Sequence, residues 1–333
     1  MGFRDSEKRR LEPLKEDLFT HAACEPGLYR GRRRPFCLHE HHSLENLHES
    51  IREDALRYFA GRGIRWHDGI DGAPSNHLCC SQSCCVNFWF PFVRAPQELA
   101  AVLRKIGYDV AEVLPFTDDE PLDDGAPPYV AFEWIGARNY LDEHRRGRVA
   151  ADHERTRGAG FTSLDFAIRF RRGDGRIQIL AGEWKYTEAY ASKSKRHSGK
   201  TDRLEQIYRP HLEHPDCQIV TGTVELDALF FDPFDQLMRQ QLLCSAMERE
   251  HEMGADVVSL LHIAPQANGE LMSRVTSPRL QELGNDVHGI WSRLTSPDRF
   301  RGIHVEDLLP EVCGDAPTRD TAEYLQRRFG GMA

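Results

Sequence analysis

The chain has 333 residues, enough for one large domain or two unequal ones with a sizeable core. A net charge of −9 excludes a protein coated with positive charge for general nucleic-acid binding, so such a partner needs a local basic face. No apolar run is long enough to span a bilayer, and the nine cysteines, an odd number, are expected as reduced thiols in a cytoplasm.

The start, MGFRDSEKRRLEPLKEDLF, has no apolar h-region, so no secretory signal is expected. Residues 1–70 read as a polar extension rich in Arg and His, with RGRRRPF and CLHEHHSLENLHES within it. One helix is expected there, over residues 43–62. Leu44, Leu47, Ile51, Ala55 and Phe59 recur at helical spacing behind Ser43 as N-cap.

Residues 71–265 read as the core domain. SNHLCCSQSCCVNFWFPF predicts a buried helix ending before Pro91, and PQELAAVLRKIG a second one from Pro96 to Gly107. TDDEPLDDGAPP is an acidic loop, and YVAFEWIG a strand. A polar crossover leads to the hairpin TSLDFAIRFRRGDGRIQILAGEWKYTE, residues 162–188. A basic loop, SKSKRHSGKTDR, then enters a helix, and CQIVTG reads as a short strand. DPFDQLMRQQLLCSAMERE is an amphipathic helix with Asp232 as N-cap and Pro233 at N1, and ADVVSLLHIAP is an apolar strand. Residues 266–333 read as a helical extension packed on the core, with helices near 277–294, 304–312 and 318–329. The order of elements predicts an α/β or α+β fold, a mixed central sheet flanked by helices.

The hairpin carries chemistry. Its turn is GDG, centred on Asp174, and Asp165 and Glu183 are equidistant from that centre. A simple antiparallel pair sets them opposite each other, with Cβ atoms about 5 Å apart. Lys185 shares their face and Trp184 points away. A bulge in the turn would shift this register by one. Two carboxylates so close repel, and a divalent cation relieves the repulsion. Mg²⁺, which takes one or two carboxylates plus water and phosphate oxygens, suits the pair, and Mn²⁺ can replace it. The Lys185 ammonium can then orient or deprotonate a water, or stabilise charge on a phosphate. The plainer alternative is a cross-strand salt bridge.

An Asp on one strand followed by Glu-x-Lys on the next resembles the PD-(D/E)XK nuclease superfamily, here as Asp165, Glu183 and Lys185, with Leu164 where the motif has Pro. The chain is also similar to a bacterial family of restriction-endonuclease-like proteins in SQSCCVNFWFPF, FEWIGARNYL, TSLDFAIRF and GEWKYTEAY. The resemblance implies a restriction-endonuclease-like core and a metal-dependent endonuclease acting on DNA, in restriction or repair. It implies that Asp165 and Glu183 hold the metal, that Lys185 serves the attacking water, and that Glu133 supplies a further acid. An auxiliary Gln on a later helix corresponds to Gln236 or Gln240, with Gln206 no stronger. It also allows a homodimer. A non-catalytic DNA-binding or assembly protein on the same scaffold is the alternative.

Phosphate contacts are expected from the basic loop, at Lys193, Lys195, Arg196, Lys200 and Arg203. Arg145, Arg146 and Arg148 in the crossover, Arg169 and Arg171 on the Asp165 face, and RGRRRPF add basic surface that could equally be solvated. Cys79, Cys80, Cys84 and Cys85 are expected as small buried hydrophobes beside VNFWFPF. The rival reading is half a zinc site, completed by Cys37, His39, His41 and His42.

Overall fold

The computed structural model describes residues 2–145, 148–158, 160–199, 201–220, 222 and 224–332. Helix α1 (Phe3–Leu18) comes first, and the hydrophobic pattern does not reveal it. Its buried stripe is Glu7, Leu11 and Lys15, two charged residues out of three. A hairpin of β1 (Gly27–Tyr29) and β2 (Arg32–Arg34) follows. Of the helix expected over 43–62, only α2 (Arg52–Gly61) forms, after 3₁₀ turns at Glu40–Asn46 and Glu49–Ile51. The chain extends at Leu47 (φ −103°, ψ 149°) because its neighbours are tied elsewhere. Asn46 Nδ2 donates to Ser75 O at 2.6 Å, and the His48 N–H to Asn87 Oδ1 at 2.8 Å.

Helices α3 (Ser81–Trp89) and α4 (Pro96–Lys105) fall where the sequence predicts them. Strands β3 (Glu112–Leu114) and β4 (Val130–Trp134) follow, then a small hairpin of β5 (His144–Arg145) and β6 (Arg148–Val149). The predicted hairpin is β7 (Leu164–Arg171) and β8 (Ile177–Trp184). Beyond it lie β9 (His197–Ser198), β10 (Thr201–Asp202), α5 (Arg209–Leu212), α6 (Phe234–Arg249) and β11 (Val257–Ala264). The tail adds α7 (Gly269–Met272), α8 (Val287–Arg293), β12 (Phe300–His304), α9 (Val305–Gly314) and α10 (Arg319–Phe329).

The fold is α+β, built on a six-stranded mixed sheet in the order β12-β11-β8-β7-β3, with β4 also on β7. β11 runs parallel to both neighbours and is buried on both faces, as its unbroken apolar run requires. β12 extends the sheet from the tail. CQIVTG contributes one bridge among the described residues, Ile219 to Thr295. α6 begins at Phe234 with Pro233 in the cap position, because the Asp232 carboxylate turns instead to Lys195.

Two cores cover the sheet. One gathers Leu11, Phe59, Trp89, Phe166, Trp184 and Leu325, so it draws on residues from both ends of the chain. The other packs Ala167, Ala181, Leu237, Val258 and Trp291 beneath α6. No helix among the described residues is long and apolar enough to cross a membrane.

Candidate active site

The β7–β8 ladder has the register counted from Asp174. Phe166 pairs with Gly182 and Ala167 with Ala181, so one step outward sets Asp165 against Glu183. Both share the parity of Ala167 and Ala181, whose side chains enter the core under α6. Trp184 points the other way and packs on Phe88, ring centroids 4.5 Å apart. Lys185 continues the strand by donating its N–H to Ile263 O at 2.8 Å. Its Nζ pairs with Glu183 Oε1.

Helix α6 closes this end of the hairpin. Gln236 Nε2 donates to Glu183 Oε1 at 2.6 Å, and Gln236 Oε1 accepts from Lys185 Nζ at 2.7 Å. One turn later, Gln240 Nε2 donates to Glu183 Oε2 and to Ser163 O. The two glutamines that the resemblance offered as alternatives thus meet the same carboxylate. Gln240 Oε1 is buried with no hydrogen-bond partner among the described residues.

Glu133 reaches the same end from β4 through a break in the strand. Its backbone is left-handed, φ 50°, a region that costs a bulky residue roughly 1–3 kcal/mol. The ladder runs from Phe132–Phe166 to Trp134–Leu164 and skips the position between. Phe132 and Trp134, two residues apart, therefore fall in different cores. The carboxylate accepts from Gln82 Nε2 at 2.8 Å and from Ser163 Oγ at 2.9 Å. Arg157 Nε braces the distorted peptides through Phe132 O at 3.0 Å and Glu133 O at 3.3 Å. Gln82 and Ser163 are absent from the sequence reading. Ser163 carried a signal, since it lies two residues before Asp165 and so shares its face. Gln82, on a buried helix, carried none.

The charges do not balance. Burial pushes the Asp165 carboxyl well above its usual range, and Glu183 and Glu133 push it further. Burial raises Glu133 too, with Glu183 adding to the effect and Gln82 and Ser163 opposing it. Burial also opposes the charge on Lys185, but Glu183 first, then Tyr190, Glu188 and Asp165, outweigh it and hold the ammonium protonated. Beside Glu183 in the next strand stands His262, fully buried and kept neutral by that burial, with His288 and Lys185 acting the same way.

These groups open on a cleft of about 800 Å³. Its floor is Glu133, Asp165, Glu183 and Lys185, and Arg4, Lys8, Arg30 and Arg34 line it from the N-terminal segment. Among the described residues, none of the basic loop lines it. Lys195 pairs with Asp232, Arg196 with Asp202 at 2.7 Å and Asp227 at 2.5 Å, and Arg203 with Asp235 at 2.8 Å. Lys193 is exposed and makes no ion pair among the described residues. Lys200 and Arg146 lie outside the described residues. Arg148 pairs with Glu154 at 2.6 Å and Arg171 with Glu112 at 2.9 Å.

The donor set suits a hard divalent cation in kind. Three carboxylates crowd one ammonium, and only Oδ2 of Asp165 takes a hydrogen bond among the described residues, from the Trp184 N–H at 2.7 Å. Closure around an ion requires Glu183 and Glu133 to exchange amide and hydroxyl partners for it. Accordingly, no three His, Cys, Asp or Glu side chains among the described residues are gathered as a ready cage. That applies equally to the cysteines. Cys79, Cys80, Cys84 and Cys85 are unbridged and buried, and burial pushes all four thiols up. They pack as small hydrophobes.

A family model described as Restriction Endonuclease associating with ARP matches residues 8–330. No curated protein and no solved structure is matched to a significant degree.

Proposed function

The chain belongs to the family described as Restriction Endonuclease associating with ARP, and we propose that it is a metal-dependent DNA endonuclease of the PD-(D/E)XK type. One observation carries this reading: Asp165 and Glu183 face each other at the end of the hairpin, with Lys185 beside them and too little positive charge to balance them. Asp165 and Glu183 would hold Mg²⁺, or Mn²⁺ in its place, with Glu133 assisting. When bound, the cation supplies a nucleophile at neutral pH and neutralises charge on the scissile phosphate.

The chain's own groups do the rest. In the metal-free protein Glu183 and its neighbours hold Lys185 protonated, and as a cation it would orient the attacking water and stabilise the charge that builds on the phosphate oxygens. Gln236 fixes it by accepting from Nζ. Gln240 and Gln236 hold Glu183 in place from α6. Phosphates could also meet Lys193. At Lys195, Arg196 and Arg203 they would have to displace carboxylates already paired there.

The test is a cleavage assay on plasmid, linear and single-stranded DNA. Cutting is expected only with Mg²⁺ or Mn²⁺, and Lys185→Ala is expected to reduce it to background. Wild-type rates in that variant would sink the assignment. A second reading is a DNA-binding or assembly protein without catalysis. It is favoured by the closed circuit of Glu183, Lys185 and Gln236, and by a family description that names an association. DNA binding with no divalent-metal affinity in titration would select it. Sedimentation would show whether two copies assemble to cut both strands.

A further inference from the structure

The N-terminal wall of the cleft takes no part in the chemistry above, and its composition bears on what can enter. Tyr29 and Phe36 are half-buried yet belong to neither core. They flank His77 edge-on, at ring-centroid distances of 4.7 Å and 5.1 Å. All three line the cleft that holds Asp165, Glu183 and Lys185. Burial, then Lys8 and Arg4, lower the His77 imidazole to about 4, so the cluster offers three uncharged rings at neutral pH.

Cations stand among these rings. Lys8 Nζ sits 4.9 Å from the centre of the Phe36 ring and 3.4 Å from exposed Asp5, Arg30 pairs with Asp68 at 2.9 Å, and Arg34 makes no ion pair among the described residues. Cationic groups interleaved with aromatic faces suit a polyanion whose bases are free to stack.

The wall is fixed close to the carboxylates. Tyr186 OH donates to buried Glu7 at 2.6 Å, and Arg4 Nε donates to Thr187 O at 2.8 Å. Both anchor points follow Lys185 directly along the chain. At the floor of the cleft, with Gln236 and Gln240 on Glu183 and Gln82 and Ser163 on Glu133, Glu183 is only 1% exposed, and Lys185 and Glu133 are each 7% exposed. A stacked duplex bears its phosphates on a broad, stiff cylinder, which reaches groups buried so deeply less readily than a single strand, whose bases unstack and turn onto aromatic faces.

We propose that the substrate is single-stranded DNA, as a strand end, a flap or an unpaired run. It threads between the α1–β1–β2 wall and the sheet, stacks on Phe36 and Tyr29, and is held at its phosphates by Arg34 and Lys8. The proposal rests on the nuclease reading for its chemistry and on the wall alone for its binding.

The experiment uses the full chain carrying Asp165→Asn, which removes a charge from the floor and prevents cutting. Fluorescence anisotropy compares a labelled oligonucleotide with its blunt duplex at one salt concentration. The single strand is expected to bind about tenfold tighter or more. Phe36→Ala is expected to weaken it by about tenfold, and so is Phe36→Leu, which keeps apolar bulk and guards against a folding defect. Arg34→Ala should reduce the salt dependence by about 0.7 in log–log slope, the share of one phosphate contact on a single strand. Equal or tighter duplex binding overturns the proposal, as does unchanged single-strand affinity in both Phe36→Leu and Arg34→Ala. The nuclease reading fails separately. Wild-type protein that binds single strands through these residues but cuts nothing with Mg²⁺ sinks that reading alone. Mg²⁺-dependent cutting of duplex without single-strand preference sinks this one alone.

Discussion

Glu133 and Asp165 stand opposite each other on adjoining strands, and the ladder breaks where they meet, between Phe132–Phe166 and Trp134–Leu164. The left-handed Glu133 backbone keeps both carboxyls at one end of the sheet, where burial and Glu183 raise both and Glu133 raises Asp165 further. In the metal-free protein that arrangement costs stability. Asp165→Asn keeps an oxygen for the Trp184 N–H and removes one negative charge. It is expected to stabilise the metal-free protein by about 1–2 kcal/mol at neutral pH while abolishing cleavage. Denaturant unfolding measures the first and the cleavage assay the second. A destabilised variant would mean that the carboxylates do not repel as described.

The same shifts set a pH dependence with an unusual sign. The folded-state values of Asp165 and Glu133 lie above the ordinary carboxylate range of about 4, where the unfolded chain titrates. Above that range and up to the folded values, the folded chain holds more protons than the unfolded one, so these groups make stability fall as pH rises. Other acids pull the total curve the opposite way. Glu40, held by the Leu28 N–H, and Asp202, held by Arg196, are both lowered to about 2. The difference between wild type and Asp165→Asn isolates the site. Melting temperatures of the two, both metal-free, should diverge in the variant's favour from about pH 4 upward. A constant gap across that range would refute the shift at Asp165.

Gln236 and Gln240 do different work on Glu183. Gln240→Ala strips Glu183 Oε2 and Ser163 O of their amide donor in a buried place, at an expected cost of about 1–3 kcal/mol. Gln236 lies on the cleft, and Gln236→Ala is expected to cost only about 0.5–1.5 kcal/mol. It frees the Lys185 ammonium to swing, so its larger effect should fall on kcat with KM nearly unchanged. Unfolding and steady-state kinetics of the pair of variants separate the two roles. Equal kcat in Gln236→Ala and wild type would remove Gln236 from the machinery.

The hairpin was legible because one turn and a period of two determine it. Asp174 marks the centre, and everything from Asp165 to Lys185 follows from counting. The α6 glutamines were named only through the resemblance, and their spacing of four on one helix is what lets both reach Glu183. Glu133 could be named but not placed, since nothing in FEWIG signals a left-handed residue that swaps Trp134 into the other core. α1 escaped because Glu7 and Lys15 occupy buried positions where the helical pattern looks for apolar residues. With α1 went the cleft wall, and attention fell on the basic loop, whose charges are visible in sequence while, Asp202 apart, the acids that pair with them lie far along the chain. Asp232 meets Lys195 and Asp235 meets Arg203 only after α6 docks.

Gly182 offers the most mechanical test of the site. It faces Phe166 across the ladder, and a Cβ there would overlap the Phe166 ring. That ring has little room to yield, since it lies fully buried with its centroid 4.8 Å from that of Trp89. Gly182→Ala must therefore displace the ring or spread β7 from β8. Overpacking of this kind costs about 1–3 kcal/mol. Spreading would also separate Asp165 from Glu183, one residue further along each strand, so cleavage should fall by more than the stability loss accounts for. Adding Phe166→Leu shortens the obstructing side chain and should recover part of both. Melting temperature and cleavage rate in the single and double variants provide the check. A fully active, fully stable Gly182→Ala protein would show that the carboxylates do not depend on the close approach of these two strands.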